Sequence, residues 1–63
     1  MRKIAQTINT ATGHETRVYR DVEWNEYRVK HYVNGQHLVE ADYHTDDKEE
    51  ALHHGAVWPF KPN

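Results

Sequence analysis

The chain has 63 residues, with 29% charged and 37% hydrophobic residues, and its formal net charge is −2 when its histidines are neutral. A chain of this length has room for one small core, so we expect a single domain, 1–63, and no enzyme with a deep pocket. The chain lacks cysteine, which excludes disulfides and thiolate metal sites, and its balanced charge argues against a general nucleic-acid binder.

The start of the chain is basic, but no apolar run of signal-peptide length follows Met1–Ile4. No stretch is long enough to span a bilayer. Since cysteine is also absent, the sequence predicts a protein of a reducing compartment, the cytoplasm, with no membrane partner.

Residues 2–10 alternate in polarity and predict a first strand with Ile4 and Ile8 on one face. Residues 11–15 predict a turn in which Gly13 takes a positive φ. A hairpin centred on this glycine gives the apolar pairs Ile4 with Val22 and Ile8 with Val18, and the charged pair Lys3 with Glu23.

Residues 16–24 and 27–33 predict a second hairpin, closed by a two-residue turn at Asn25-Glu26. This register matches charges and apolar residues across the two strands. The pairs on one face are Trp24 with Tyr27, Val22 with Val29, Arg20 with His31 and Val18 with Val33. The pairs on the other face are Glu23 with Arg28, Asp21 with Lys30 and Tyr19 with Tyr32.

The fourth strand is predicted over residues 37–43, after a three-residue loop Val33–Gly35 that sets Val29 against Val39. A helix over 46–55 follows, with Thr45 or Asp46 as its N-cap and Gly55 as its end, and an extended tail covers 56–63. The fold class is therefore α+β: a four-stranded antiparallel meander, ββββα, with one short C-terminal helix packed on one face.

The predicted register places a row of polar residues across the face that should form the core. The row consists of Gln6, Arg20, His31 and His37. Buried polar groups need partners, so Arg20 and His31 are candidates for holding a phosphate or carboxylate. The alternative is a row without a ligand, which is solvated or capped by the tail because a short helix covers only half of the sheet.

Two groups of aromatic residues are candidate partner-binding positions. Trp58 and Phe60, on either side of Pro59, can anchor a partner, or they can fold back and complete the core. Tyr19 and Tyr32 share the outer face with cations, a pattern typical of single-strand RNA binders. Cross-strand packing explains the pair better, because acidic residues on the same face would repel phosphate.

The helix start carries four acidic candidates for contact with a basic partner, Asp46, Asp47, Glu49 and Glu50. Carboxylates at this position also stabilise a helix without any further role. His53 and His54 are adjacent on the helix and point apart, and no third ligand accompanies His31 and His37. We expect no metal, no cofactor and no catalytic residue.

Three stretches carry a resemblance to a protein family: Arg17–Asp21, Trp24–Tyr27 and Ala41–Leu52. In these the chain resembles the small accessory and early proteins of tailed bacteriophages. The resemblance implies a host-takeover role, in which a monomer or small homo-oligomer in the host cytoplasm binds and inhibits a host protein complex of transcription or defence. The alternative is a single-strand nucleic-acid-binding module that uses Tyr19 and Tyr32.

Overall fold

The computed structural model describes residues 1–61 and shows an antiparallel sheet followed by one α-helix, which confirms the α+β class. The described chain forms five strands rather than four: β1 (Arg2–Asn9), β2 (His14–Asp21), β3 (Glu26–Val33), β4 (Gln36–His37) and β5 (Tyr43–Thr45). Strands β1 to β4 lie in chain order, and β5 pairs with β3 on the same side as β4. The helix α1 (Lys48–Val57) packs on one face of the sheet, and a 3-10 turn (Trp58–Phe60) follows it.

The predicted faces of β2 and β3 are right, but their predicted register is wrong. Val18 pairs with Val29 and Thr16 pairs with His31, all on the face covered by α1. Asp21 and Glu26 close the hairpin, so the loop has four residues, 22–25, instead of two. The predicted and the observed registers differ by an even number of positions. The residues of β2 and β3 that face inward are therefore the same in both.

The predicted pairing of β1 is also wrong. Asn9 lies opposite His14, so the hairpin loop is 10–13 and is not centred on Gly13. A β-bulge also lies between Lys3 and Ala5. One extra residue in a strand reverses the faces of every residue beyond it. Ile8 lies on the loop side of the bulge, so the loop sets its pairing with Glu15 on the open face, where it is 50% exposed. Ala5 pairs with Val18 and packs against the core with Ile4.

The segment predicted as a strand over 37–43 is broken. Asn34 and Gly35 both have positive φ in a two-residue hairpin loop, and β4 ends at His37. The three-residue loop was predicted in order to turn Val39 inward. Val39 does not face inward, because it lies in a 3-10 turn (Val39–Ala41) and is 69% exposed, so the reason for a three-residue loop is absent.

The helix begins one or two residues later than predicted and continues past Gly55. Asp47 is the N-cap, and its carboxylate accepts hydrogen bonds from the backbone N–H groups of Glu49 and Glu50 at 3.0 and 3.2 Å. Gly55 is buried inside the helix, so it does not end it. The predicted extended tail is wrong for 56–60, because 56 and 57 belong to α1 and the next three residues form the 3-10 turn. Pro59 lies at the start of this turn, where its missing N–H costs nothing. Positions 62 and 63 lie outside the described residues.

The apolar core is small. Val18, Val29 and Ala51 are its buried members, and partly buried residues pack around them: Ile4, Ala5, Tyr27, Tyr43 and Leu52. Buried polar side chains occupy much of the remaining interior, among them Thr16 and His31, both 0% exposed. The Thr16 hydroxyl donates a hydrogen bond to the Gly55 carbonyl, which ties the helix to β2.

Candidate functional site

The most exposed apolar side chains of the described protein lie in the loop between β2 and β3, residues 22–25, which we name the Trp24 turn. Val22 is 78% exposed and Trp24 is 71% exposed. Their predicted places in the core, opposite Val29 and Tyr27, are wrong because the strands end at Asp21 and resume at Glu26. Trp is enriched among interface anchors, so an exposed Trp with an exposed Val two residues away is a candidate contact surface.

Hydrogen bonds within the Trp24 turn hold its shape. The Asn25 N–H donates to the Val22 carbonyl at 3.3 Å, and Asn25 takes a positive φ of 51°. The Trp24 N–H donates to the Asp21 carboxylate at 3.3 Å. Asp21 is itself 8% exposed and bonded to the Arg28 guanidinium at 3.1 Å, so the acceptor is fixed in turn.

Arg20 braces the same loop from the other side. Its guanidinium donates to the Asn25 side-chain oxygen at 2.7 Å and to the Glu26 carbonyl at 3.1 Å, and it lies 4.8 Å from the centre of the Tyr27 ring. These contacts leave Trp24 on a turn whose backbone is already ordered.

The predicted polar row is not assembled. Arg20 lies at the Trp24 turn, Gln6 faces the open side of the sheet, and His37 lies on β4, where it contacts the Asp42 carboxylate at 2.9 Å. Only His31 is buried beneath the helix. The shared phosphate or carboxylate site expected of Arg20 and His31 is therefore absent from the described residues.

Tyr19 and Tyr32 both lie on the open face, as predicted, but they are not directly paired. Arg17 lies 4.1 Å from the centre of the Tyr32 ring, His37 stacks near the same ring at 5.0 Å, and Lys30 lies 5.4 Å from the centre of Tyr19. The side chains of this face thus cover one another. The burial of Tyr32 also raises the pKa of its hydroxyl above the ordinary value.

The carboxylates of the open face form ion pairs with arginines. Glu15 is 6% exposed and lies 2.8 Å from Arg17, and the hydrogen bond from Arg17 lowers the pKa of its carboxyl below the ordinary value. Arg28 contacts both Asp21 and Glu26, at 3.1 and 2.8 Å. Two arginines therefore offset part of the negative charge of these three carboxylates.

His31 instead contacts groups at the end of the helix. Its Nε2 lies 2.9 Å from the Nε2 of His54, and the Trp58 ring meets it edge-on at 4.5 Å. Trp58 also lies 5.3 Å from His14, and Pro59 is buried. Trp58 thus packs on the sheet, whereas Phe60, the second tail candidate, is 58% exposed.

The acidic candidates at the helix start, Asp46, Asp47, Glu49 and Glu50, are exposed. Across residues 1–61, no group of three or more His, Cys, Asp or Glu side chains is placed to share a metal ion. The described helices are also too short and too polar for any of them to cross a membrane.

A scan against protein-family models finds no match for this chain, and comparisons with curated proteins and with solved structures find none either. The functional argument therefore depends on the geometry of the chain itself. Sequence reasoning missed the exposure of Val22 and Trp24. Two residues could have indicated the longer loop. Asp21, just before the loop, can accept hydrogen bonds from the loop backbone, and Asn25, at the end of the loop, tolerates a positive φ, so the sequence also fits a four-residue turn over 22–25.

Proposed function

We propose that this protein is a non-enzymatic binding module that inserts the Trp24 turn into an apolar pocket of a partner protein. The exposure of Trp24 and Val22 on an ordered turn is the observation that carries the proposal. Trp is enriched among the residues that dominate binding energy at interfaces. An ordered turn also loses less conformational entropy on binding than a flexible loop does.

The chemistry of the turn indicates the chemistry of its partner. Trp24 and Val22 require an apolar pocket, and Glu23, which is exposed between them, favours a basic group at the rim of that pocket. Arg20 and Asp21 are occupied in holding the turn. The resemblance to phage accessory proteins extends the proposal to a host protein complex as the partner and to inhibition as the outcome.

Capture from bacterial lysate, with and without nuclease, tests the proposal when four tagged forms are compared. The forms are the unaltered protein, Trp24→Ser, and two controls in which other exposed apolar residues are changed, Val39→Ser (69% exposed) and Phe60→Ser (58% exposed). We expect one host protein to survive nuclease treatment, to remain with both controls and to be lost with Trp24→Ser.

Direct titration of the captured protein then measures the size of the effect. Trp24→Ser should weaken the Kd by about 30-fold or more, the equivalent of about 2 kcal/mol. Asp21→Asn should weaken binding with Trp24 still present, because the turn loses a charged acceptor for the Trp24 N–H. Equal binding by the Trp24→Ser variant would refute the proposed contact.

Single-strand nucleic-acid binding by the open face is a second candidate function. It is favoured by the pairing of Glu15, Asp21 and Glu26 with Arg17 and Arg28, which reduces the repulsion between these carboxylates and phosphate. The covered Tyr32 ring disfavours base stacking. Retention on an oligonucleotide column that falls steeply with salt, and falls further in Lys30→Gln, would support this candidate over the first.

A further inference from the structure

The contact between His31 and His54 joins β3 to the last turn of α1. The two Nε2 atoms are 2.9 Å apart, and His31 is 0% exposed. Trp58 covers the His31 ring at 4.5 Å, and Tyr43 stacks on the His54 ring at 4.6 Å, so aromatic side chains hold both imidazoles in place. At this separation the two nitrogens share one hydrogen, since one must donate and the other accept.

The second nitrogen of His31 determines which ring carries that hydrogen. His31 Nδ1 is buried and has no hydrogen-bond partner among the residues described. A buried N–H without an acceptor is the costlier and rarer kind of unsatisfied group, compared with a vacant lone pair. The lower-energy arrangement leaves Nδ1 unprotonated, so His31 donates through its Nε2–H and His54 accepts at Nε2, with its own hydrogen on Nδ1.

We propose that the His31–His54 pair is a pH-sensitive latch that holds the end of α1 and the following 3-10 turn on the sheet at neutral pH and releases them in acid. Adding a proton to His54 at Nε2 forces the shared hydrogen to move, and His31 must then carry its hydrogen on the buried Nδ1. Adding a second proton sets two N–H groups against each other across 2.9 Å. The rings can satisfy both protons only by separating.

The charges around the pair do not compensate for a proton at this position. The elements packed around His31 and His54 place titratable groups near the two rings. These groups are His14 on β2, His37 on β4, Asp42 before β5, Tyr43 on β5, Glu50 and His53 on α1, and Lys61 after the 3-10 turn. Asp42 and Glu50 are the acids of this set, and Asp42 already contacts His37. Burial, followed by the charge of His54, lowers the pKa of His31 to about 4. Burial, followed by Lys61, lowers the pKa of His54.

The sign of the pH effect follows from these directions. Both histidines bind a proton less readily in the folded state than in the unfolded chain, whose ordinary value is 6.5. The free energy of unfolding is therefore highest above about pH 6.5 and falls as the pH decreases toward 4. Each proton taken up on unfolding raises the unfolding constant by up to about tenfold per pH unit in that window.

Nitrogen-15 NMR of the imidazole rings tests the arrangement directly. At pH 7.5 we expect His31 to carry its hydrogen on Nε2 and His54 to carry its hydrogen on Nδ1. On acidification, the amide signals of 51–57 should shift or broaden before those of β1 and β2 do. A His31 ring that carries its hydrogen on Nδ1, or one that titrates near 6.5 with the helix signals unchanged, would overturn the latch.

Chemical unfolding from pH 8 to pH 4 provides the variant test. His54→Gln keeps an oxygen acceptor for His31 but removes one titrating ring, so its unfolding constant should rise less steeply below pH 6.5 than that of the unaltered protein. The control is His53→Gln, the exposed neighbour on the same helix, which should change the slope less than His54→Gln does. His31→Leu should remove the steepest part of the pH dependence; if it does not fold, His54→Gln decides the matter. Identical slopes for His54→Gln and His53→Gln would refute the proposal.

Discussion

Gly55 of α1 and Val18 of β2 approach so closely that a methyl group at Gly55 would lie 2.7 Å from Val18 Cγ2. Gly55 also accepts a hydrogen bond from the Thr16 hydroxyl through its carbonyl oxygen. The glycine is therefore a point of helix–sheet contact rather than a helix end. Because Gly55 has no side chain, α1 can lie close to Thr16 and Val18, the buried residues of β2.

Gly55→Ala should destabilise the protein despite the higher helix propensity of alanine. The propensity gain is about 1 kcal/mol, whereas forcing a methyl group against a rigid buried valine costs about 1 to 3 kcal/mol. We expect a net loss of up to about 2 kcal/mol in the free energy of unfolding, measured with urea. In a double-mutant cycle, Val18→Ala should relieve part of this cost, since it removes the atom that the new methyl group meets. Additive losses would argue against the contact.

The sequence predicts which faces of β2 and β3 turn inward, because alternation alone determines faces. It does not determine register here. A two-residue and a four-residue loop around Asn25 both keep Val18 and Val29 on one side, and the charge matches favoured the shorter loop. The inward placement of Ile8 was wrong because the first hairpin loop is 10–13 and is not centred on Gly13. The bulge between Lys3 and Ala5 has no sequence mark.

Only part of the candidate site could be predicted from the sequence, because alternation determines the face of a strand residue and not its contacts. The open-face position of Tyr19 and Tyr32 follows from alternation and is observed. The exposure of Trp24 depends on loop length, and the contact of His31 with His54 depends on how α1 lies across the sheet. Neither of these is encoded in local periodicity.

Val22→Asp should leave the fold intact, and Val29→Asp should abolish it. Val22 is 78% exposed, so a charge there stays hydrated and should change stability by no more than about 0.5 kcal/mol. Val29 is 0% exposed, and a carboxylate at that position would be buried without a partner. Thermal unfolding followed by circular dichroism distinguishes the two variants. Unfolding of Val22→Asp would restore the shorter hairpin loop as the better description.

Asp47→Ala should cost about 1 kcal/mol, the usual value of a lost N-cap. Its carboxylate accepts from two backbone N–H groups at the start of α1. Asp46→Ala is the matched control, because Asp46 has the same charge one residue earlier and is exposed. Urea midpoints of the two variants should differ clearly. Equal losses would mean that the negative charge near the helix, rather than the cap geometry, supplies the stability.

Glu15→Gln should lower stability at neutral pH by about 1 kcal/mol and flatten its loss in acid. The hydrogen bond from Arg17 lowers the pKa of the Glu15 carboxyl in the folded protein below its ordinary 4.5. The stability from this carboxylate is therefore present above about pH 4.5 and is lost as the pH falls through the folded-state value. Unfolding curves from pH 7 to pH 2 should show the variant and the unaltered protein converging in acid. Glu40→Gln, which changes an exposed carboxylate, is the control.

Trp58→Ala and Phe60→Ala compare how much each aromatic residue of the C-terminal 3-10 turn contributes to stability. Trp58 packs against His31 at 4.5 Å and His14 at 5.3 Å, so its removal leaves a gap beside a buried ring, and we expect a loss of about 2 to 3 kcal/mol. Phe60 is 58% exposed, and its removal should cost no more than about 0.5 kcal/mol. Urea unfolding of both variants at pH 7.5, where the histidine pair is neutral, gives the comparison without interference from protonation. Equal, small losses would mean that Trp58 lies on the surface of the sheet without contributing to its stability, and the packing described for His31 would then be wrong.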